Sequence, residues 1–109
     1  SDLVRNFHFG KTGRIFLVSA DGKVKIHPQA EFNDTRQLSD LLGSEAAGKL
    51  LVGSGKAVHF ERDGEAYLAV AQPLKTLGWL LVSEVPEAEI YADANQALIT
   101  SSLIGLVVA

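Results

Sequence analysis

The chain has 109 residues, enough for one domain with a modest core. Ten basic against thirteen acidic residues give a net charge of −3, and the basic residues are scattered, so the clustered Lys/Arg face that nucleic acid requires is missing. With no cysteine, thiolate zinc sites and cysteine nucleophiles are excluded, and the redox compartment stays undecided.

In chain order, the first elements flank Asp21-Gly22. Asp-Gly between alternating apolar segments is a strong hairpin signal, because a type I′ turn needs positive φ at both central residues. The pattern predicts strands over Arg14 to Ala20 and Lys23 to His27. A two-residue turn would set Leu17 opposite Ile26 and Ser19 opposite Val24 on a core face. Phe16 would then face His27 and Val18 would face Lys25, on a half-covered concave face. Next, Asn33 to Val52 carries Leu38, Leu41 and Leu42 at helical spacing, Gly43 as a stop, and a restart over Glu45 to Leu51: a short helical crossover.

A second Asp-Gly pair, Asp63-Gly64, predicts strands over Lys56 to Arg62 and Glu65 to Leu74, with Tyr67 opposite Phe60, and a fifth strand follows at Gly78 to Val85. Pro86 is then expected at a first helical position, with Glu87 and Glu89 at the positive end of the helix dipole. From Gln96 to Ala109 the chain is almost wholly apolar, with Thr100, Ser101 and Ser102 as the polar break. This run reads as the beginning of a membrane-spanning helix, which needs about 20 apolar residues. The expectation is therefore a folded module over residues 1–92 and a truncated membrane helix over 93–109, a piece cut from a longer protein at both ends. The fold class is antiparallel α+β.

Nucleotide binding and catalysis find little support. Gly10-Lys11-Thr12 lacks the preceding phosphate-loop glycine, where Arg5 stands, and Gly53-Ser54-Gly55-Lys56 has Leu50 and Ala57 at the required positions. No G-x-S-x-G elbow, H-E-x-x-H or paired-carboxylate motif occurs, so no catalytic residue, metal or cofactor is assigned. His27 with His59 and Asp34 or Glu61 has no zinc-motif spacing.

Three motifs occur in order: TGxxFLVxxDGxxxxHP from Thr12 to Pro28, DGxxY from Asp63 to Tyr67, and GWxLVxxVP from Gly78 to Pro86. Together they resemble Cache domains, the PAS-like extracytoplasmic sensors of bacterial methyl-accepting chemotaxis receptors and related signal transducers. The resemblance implies a five-stranded antiparallel PAS-like sheet and a ligand pocket between the sheet and a short helical crossover. It also implies a C-terminal helix leading into the inner membrane and a homodimeric receptor. Since only Ser1 to Phe9 precede the first strand, where a single-module Cache domain carries a long N-terminal helix, the chain is similar to the membrane-proximal half of a double Cache domain, whose distal half is the usual ligand site, or to a single module shorn of that helix.

Candidate ligand-binding residues are Phe16, His27, Asp34, Arg36 and Tyr67. His27 reads either as a ligand contact or as a hydrogen-bonded strand-end residue. Tyr67 reads as a pocket hydroxyl or as core, and Arg36, near Asp34, as a carboxylate partner or a solvated loop residue. The ligand classes left open are amino acids, organic acids and amines. Two functions compete: a periplasmic input module that senses a small molecule, or a relay whose pocket is filled by its own Phe16, Phe60 and Tyr67.

Overall fold

The two Asp-Gly turns differ in loop length, and the difference sets the register of each hairpin. The computed structural model of the chain describes residues 12–90. At Asp63-Gly64 both residues have positive φ (53° and 79°), and strands β3 (Val58–Arg62) and β4 (Glu65–Leu74) pair as expected, with Phe60 opposite Tyr67. Between β1 (Arg14–Ser19) and β2 (Val24–Ile26) only Gly22 has positive φ, 96°, and Ser19 bonds to Lys23 through its backbone N–H. That is a three-residue loop. The register therefore differs from the two-residue expectation: Val18, not Ser19, lies opposite Val24, and a bulge at Lys25 then restores the Leu17–Ile26 pair.

The expected core face of this hairpin is also corrected, because the crossover packs on the Phe16 face. Phe16, Val18 and Val24 are fully buried, while Leu17, Ser19 and Ile26 are half-buried on the opposite face. Lys25 does not face Val18; its ammonium lies 2.6 Å from Asp34 and over the Trp79 ring.

Strand β5 (Trp79–Pro86) completes a five-stranded antiparallel sheet of order β2-β1-β5-β4-β3. It takes β1 on one side, Phe16 opposite Val82, and β4 on the other, Ala71 opposite Val82. Pro73 is tolerated in β4 because β3 pairs only as far along as Ala69, leaving the Pro73 side of the strand without a β3 partner. Pro86 is the last strand residue, opposite Tyr67, rather than the first helical one; residues 87–90 are helical. Its fixed φ near −65° suits a strand end that turns into a helix.

The crossover contains a 3-10 turn (Ala30–Phe32), α1 (Leu38–Leu42) and α2 (Ser44–Leu51). Gln37 and Asp40 form a reciprocal capping box on α1, and Gly43 at φ 87° separates the helices. Leu38, Leu42, Ala46, Ala47 and Leu50 pack on the sheet face carrying Phe16, Val18, Val82, Val58 and Phe60, where the small Ala69 and Ala71 let the helices approach. The crossover is also tied to the first hairpin by backbone bonds, Leu38 N–H to Gly22 O at 2.7 Å and Val24 N–H to Arg36 O at 2.9 Å.

Among the described residues no helix is long and apolar enough to cross a membrane. The apolar run after Gln96 and the 92/93 boundary lie outside the described residues.

Gly22→Ala would place a Cβ 3.1 Å from Leu51 at a left-handed φ, whereas Gly48, exposed in α2, has open space where a Cβ would go. Gly22→Ala is expected to cost about 1–2 kcal/mol and Gly48→Ala to gain about 0.5–1 kcal/mol. Thermal melts check both, at roughly 4–8 °C per kcal/mol for a domain of this size.

Candidate functional site

Strand alternation turns Val82, Glu84 and Pro86 of β5 toward the helices, so a carboxylate enters an otherwise apolar face. Glu84 is 1 % exposed. Two arginines surround it: Arg14, its cross-strand neighbour on β1, at 3.4 Å, and Arg62, from the end of β3, at 2.8 and 3.0 Å in a bidentate pair.

Arg62 also donates Nε–H and an Nη2–H to the Leu41 carbonyl near the end of α1, at 3.3 and 3.1 Å. Its guanidinium packs over the rings of Phe60 and Tyr67, at 5.2 and 4.9 Å. Burial is the largest single influence and works against its charge, but the Glu84 hydrogen bonds, the Glu84 charge and Tyr67 together outweigh it and hold the group above its ordinary value.

Beside this pair lies a cavity of about 190 Å³ between the crossover and the sheet, walled by Arg14, His27, Phe32, Leu41 and Arg62 among others. It is smaller than the roughly 300–1,000 Å³ of drug-sized pockets, so it suits a small metabolite. His27 is 4 % exposed, with its ring between Phe16 (4.9 Å) and Phe32 (5.0 Å). The Gln29 backbone N–H donates to His27 Nδ1 at 2.9 Å, which leaves Nε2 to carry the proton of the neutral ring. Burial, reinforced by Arg14 and Arg62 and opposed by Glu84, pushes the His27 pKa down to about 4.

Of the residues singled out from sequence, the structure brings Phe16 and His27 into contact. Tyr67 stacks on Phe60 at 5.2 Å and lies under the Arg62 guanidinium, and it does not wall the cavity. Asp34 pairs with Lys25, which holds its carboxyl below the usual range, and Arg36 is exposed with its guanidinium 5.2 Å from the Phe32 ring. Asp34 and Arg36 therefore flank the crossover rather than wall the cavity.

Sequence reasoning missed Arg14, Arg62 and Glu84. The signal available was an acidic residue in phase with Leu80 and Val82, the inward positions of an apolar strand.

Two larger concavities lie elsewhere. One of about 360 Å³, apolar, is on the opposite sheet face around Leu68, Val70, Val85 and Ile90. One of about 300 Å³ lies between β3 and the α1–α2 junction, by His59 and Glu61. Neither touches the Arg62–Glu84 pair. Among the described residues no group of three or more His, Asp or Glu side chains is placed to hold a metal.

The depressed His27 pKa fixes a sign. The unfolded ring, near 6.5, binds a proton that the folded ring refuses until about pH 4. Stability is therefore full above pH 6.5 and falls as pH drops toward 4, by about 2–3 kcal/mol from this group. Urea midpoints across that window should fall, and His27→Gln should flatten the slope.

The comparisons with known proteins fit this geometry. The Cache 3/Cache 2 fusion domain family matches residues 1–100. The ligand-binding domain of the amino acid chemoreceptor PctB from Pseudomonas aeruginosa PAO1, solved with L-Arg, is 28 % identical with a TM-score of 0.69, over 94 % of this chain and 42 % of that one. The extracellular domain of mmHK1S-Z2, described as a histidine kinase, is 27 % identical with a TM-score of 0.69, over 83 % of this chain and 36 % of that one. The ligand-binding domain of Mlp24 with asparagine shares the fold, at 24 % identity and a TM-score of 0.70, over 86 % of this chain and 36 % of that one. The chain thus spans about two fifths of the length of these solved domains. With its PAS-like sheet, crossover and ordered motifs, the chain belongs to the Cache 3/Cache 2 fusion domain family.

Proposed function

We propose that the chain is an extracytoplasmic sensing-and-relay module, the membrane-proximal part of a bacterial transmembrane receptor of chemoreceptor or histidine kinase type. The observation that carries this is the cavity walled by an arginine that also grips β5, the strand that runs directly into a helix at residue 87. A small molecule in the cavity acts next to the element that leaves the module. The ligand class is a small amino acid or carboxylate, supported by the donors Arg14 and His27 in the wall, which also carries one carboxylate, Asp40, and by the amino acids seen with PctB and Mlp24. In this reading His27 walls the cavity with Phe16 packed against its ring, Asp34 and Arg36 lie at the crossover margin, and Tyr67 lies against the Arg62 guanidinium. In the whole receptor the helix leads into the inner membrane and the module works as a homodimer.

A second reading, relay without a ligand, is favoured by two contacts. Glu84 already satisfies both arginines, and the Thr12 backbone N–H donates to Glu89 at 3.0 Å, joining the chain's entry to the first turn of the exit helix. An upstream displacement would then pass straight across.

A thermal-shift screen of the twenty amino acids and short carboxylates separates the two. Sensing predicts a saturable rise, about 2.7 kcal/mol at 100 times Kd, that Arg14→Ala removes. No shift with any compound would favour the relay.

A further inference from the structure

We propose that Arg62 is the residue that couples the cavity to the exit helix. An anionic group bound beside Arg14 and His27 draws on the Arg62 guanidinium, and the change in its pairing with Glu84 resets the end of β5. The inference rests on the sensing-and-relay reading and adds its internal route.

The geometry points to Arg62 because one rigid group makes all the connections. Its four hydrogen bonds divide between the Leu41 carbonyl of the crossover and the Glu84 carboxylate of the sheet. The same side chain walls the cavity. A guanidinium presents its donors in one plane, so a tilt that improves a bond to a cavity ligand worsens the bidentate pair with Glu84. Water cannot replace that partner at a carboxylate 1 % exposed. Glu84 must follow Arg62 or turn toward Arg14, 3.4 Å away on β1, and either response moves the strand end against α1. Glu84 lies only three residues before the helix at 87–90. The shift is bounded by how much more tightly the ligand binds one arrangement than the other.

The chain has no cysteine, so Ser39→Cys in α1 and Ala88→Cys in the exit helix, both at exposed positions, take nitroxide labels specifically. Electron paramagnetic resonance then reads the distance between crossover and helix in the 109-residue chain. Without ligand, Arg62→Lys, which keeps the charge and loses the fork, and Glu84→Gln should each move that distance by about 1–2 Å, the scale of switching helix shifts. An unchanged distance in folded Arg62→Lys overturns the proposal, so it stays testable even where Glu84→Gln fails to fold.

In a second arm, acetate and L-arginine are titrated into the labelled chain. Wild type should shift, whereas Arg62→Lys, with each probe raised until its own thermal response saturates, should lose the distance change. A distance change that survives in Arg62→Lys also overturns the proposal. A wild-type chain that binds neither probe counts against the sensing reading, and the ligand-free arm still decides the role of Arg62.

Discussion

Glu84 sits at the centre of the sheet with almost no access to water, and a buried carboxylate is expensive unless its charge and lone pairs are met. The desolvation cost is several kcal/mol per ion even in real proteins. Arg62 meets it with a two-point pair, Arg14 adds a second positive charge, and the Leu41 carbonyl takes up the remaining edge of Arg62. A well-packed hydrophobic set of similar volume would be as stable or more so. What the ions supply instead is registry. They hold β1, β3, β5 and α1 in one relative position, which apolar packing alone would specify less sharply.

That registry matters because of the sheet order. β5 is central, flanked by the first strand and the fourth, and it is the last strand before the chain turns into a helix. The residue two before β1 is also joined to the helical turn after β5: Thr12 bonds to Glu89 through both its backbone N–H and its hydroxyl. In the proposed reading, a displacement of β5 at the cavity and one of Thr12 would both end at the same helical turn. A module built this way can act as sensor, relay or both with the same parts, and the cavity's small size suits it to modest ligands.

Much of the architecture was legible from local chemistry. The Asp-Gly turns, the alternation of the strands and the stop at Gly43 gave five antiparallel strands around a helical crossover, and the ordered motifs named the family. The facing of the first hairpin was misread because both faces of β1 carry apolar residues, Phe16 and Val18 on one and Ile15 and Leu17 on the other, so alternation alone does not say which one the crossover covers. Its register was misread because Asp21 does not adopt positive φ and the loop takes three residues. Glu84 and Arg62 escaped notice for a related reason. Glu84 is a charge in an apolar strand whose inward phase is known only once β1 and β4 are in register. Arg62, beside a turn, resembles any solvated turn residue. The burial of His27 depends on Phe32, which only the folded crossover brings against it.

The central claim is that Arg62 and Glu84 act as one unit. A double-mutant cycle with Arg62→Met, Glu84→Gln and the pair, each unfolded in urea, tests it most directly. The account predicts that the double variant is less destabilised than the sum of the singles, with a coupling of about 1–3 kcal/mol. Additivity within about 0.3–0.5 kcal/mol would contradict it.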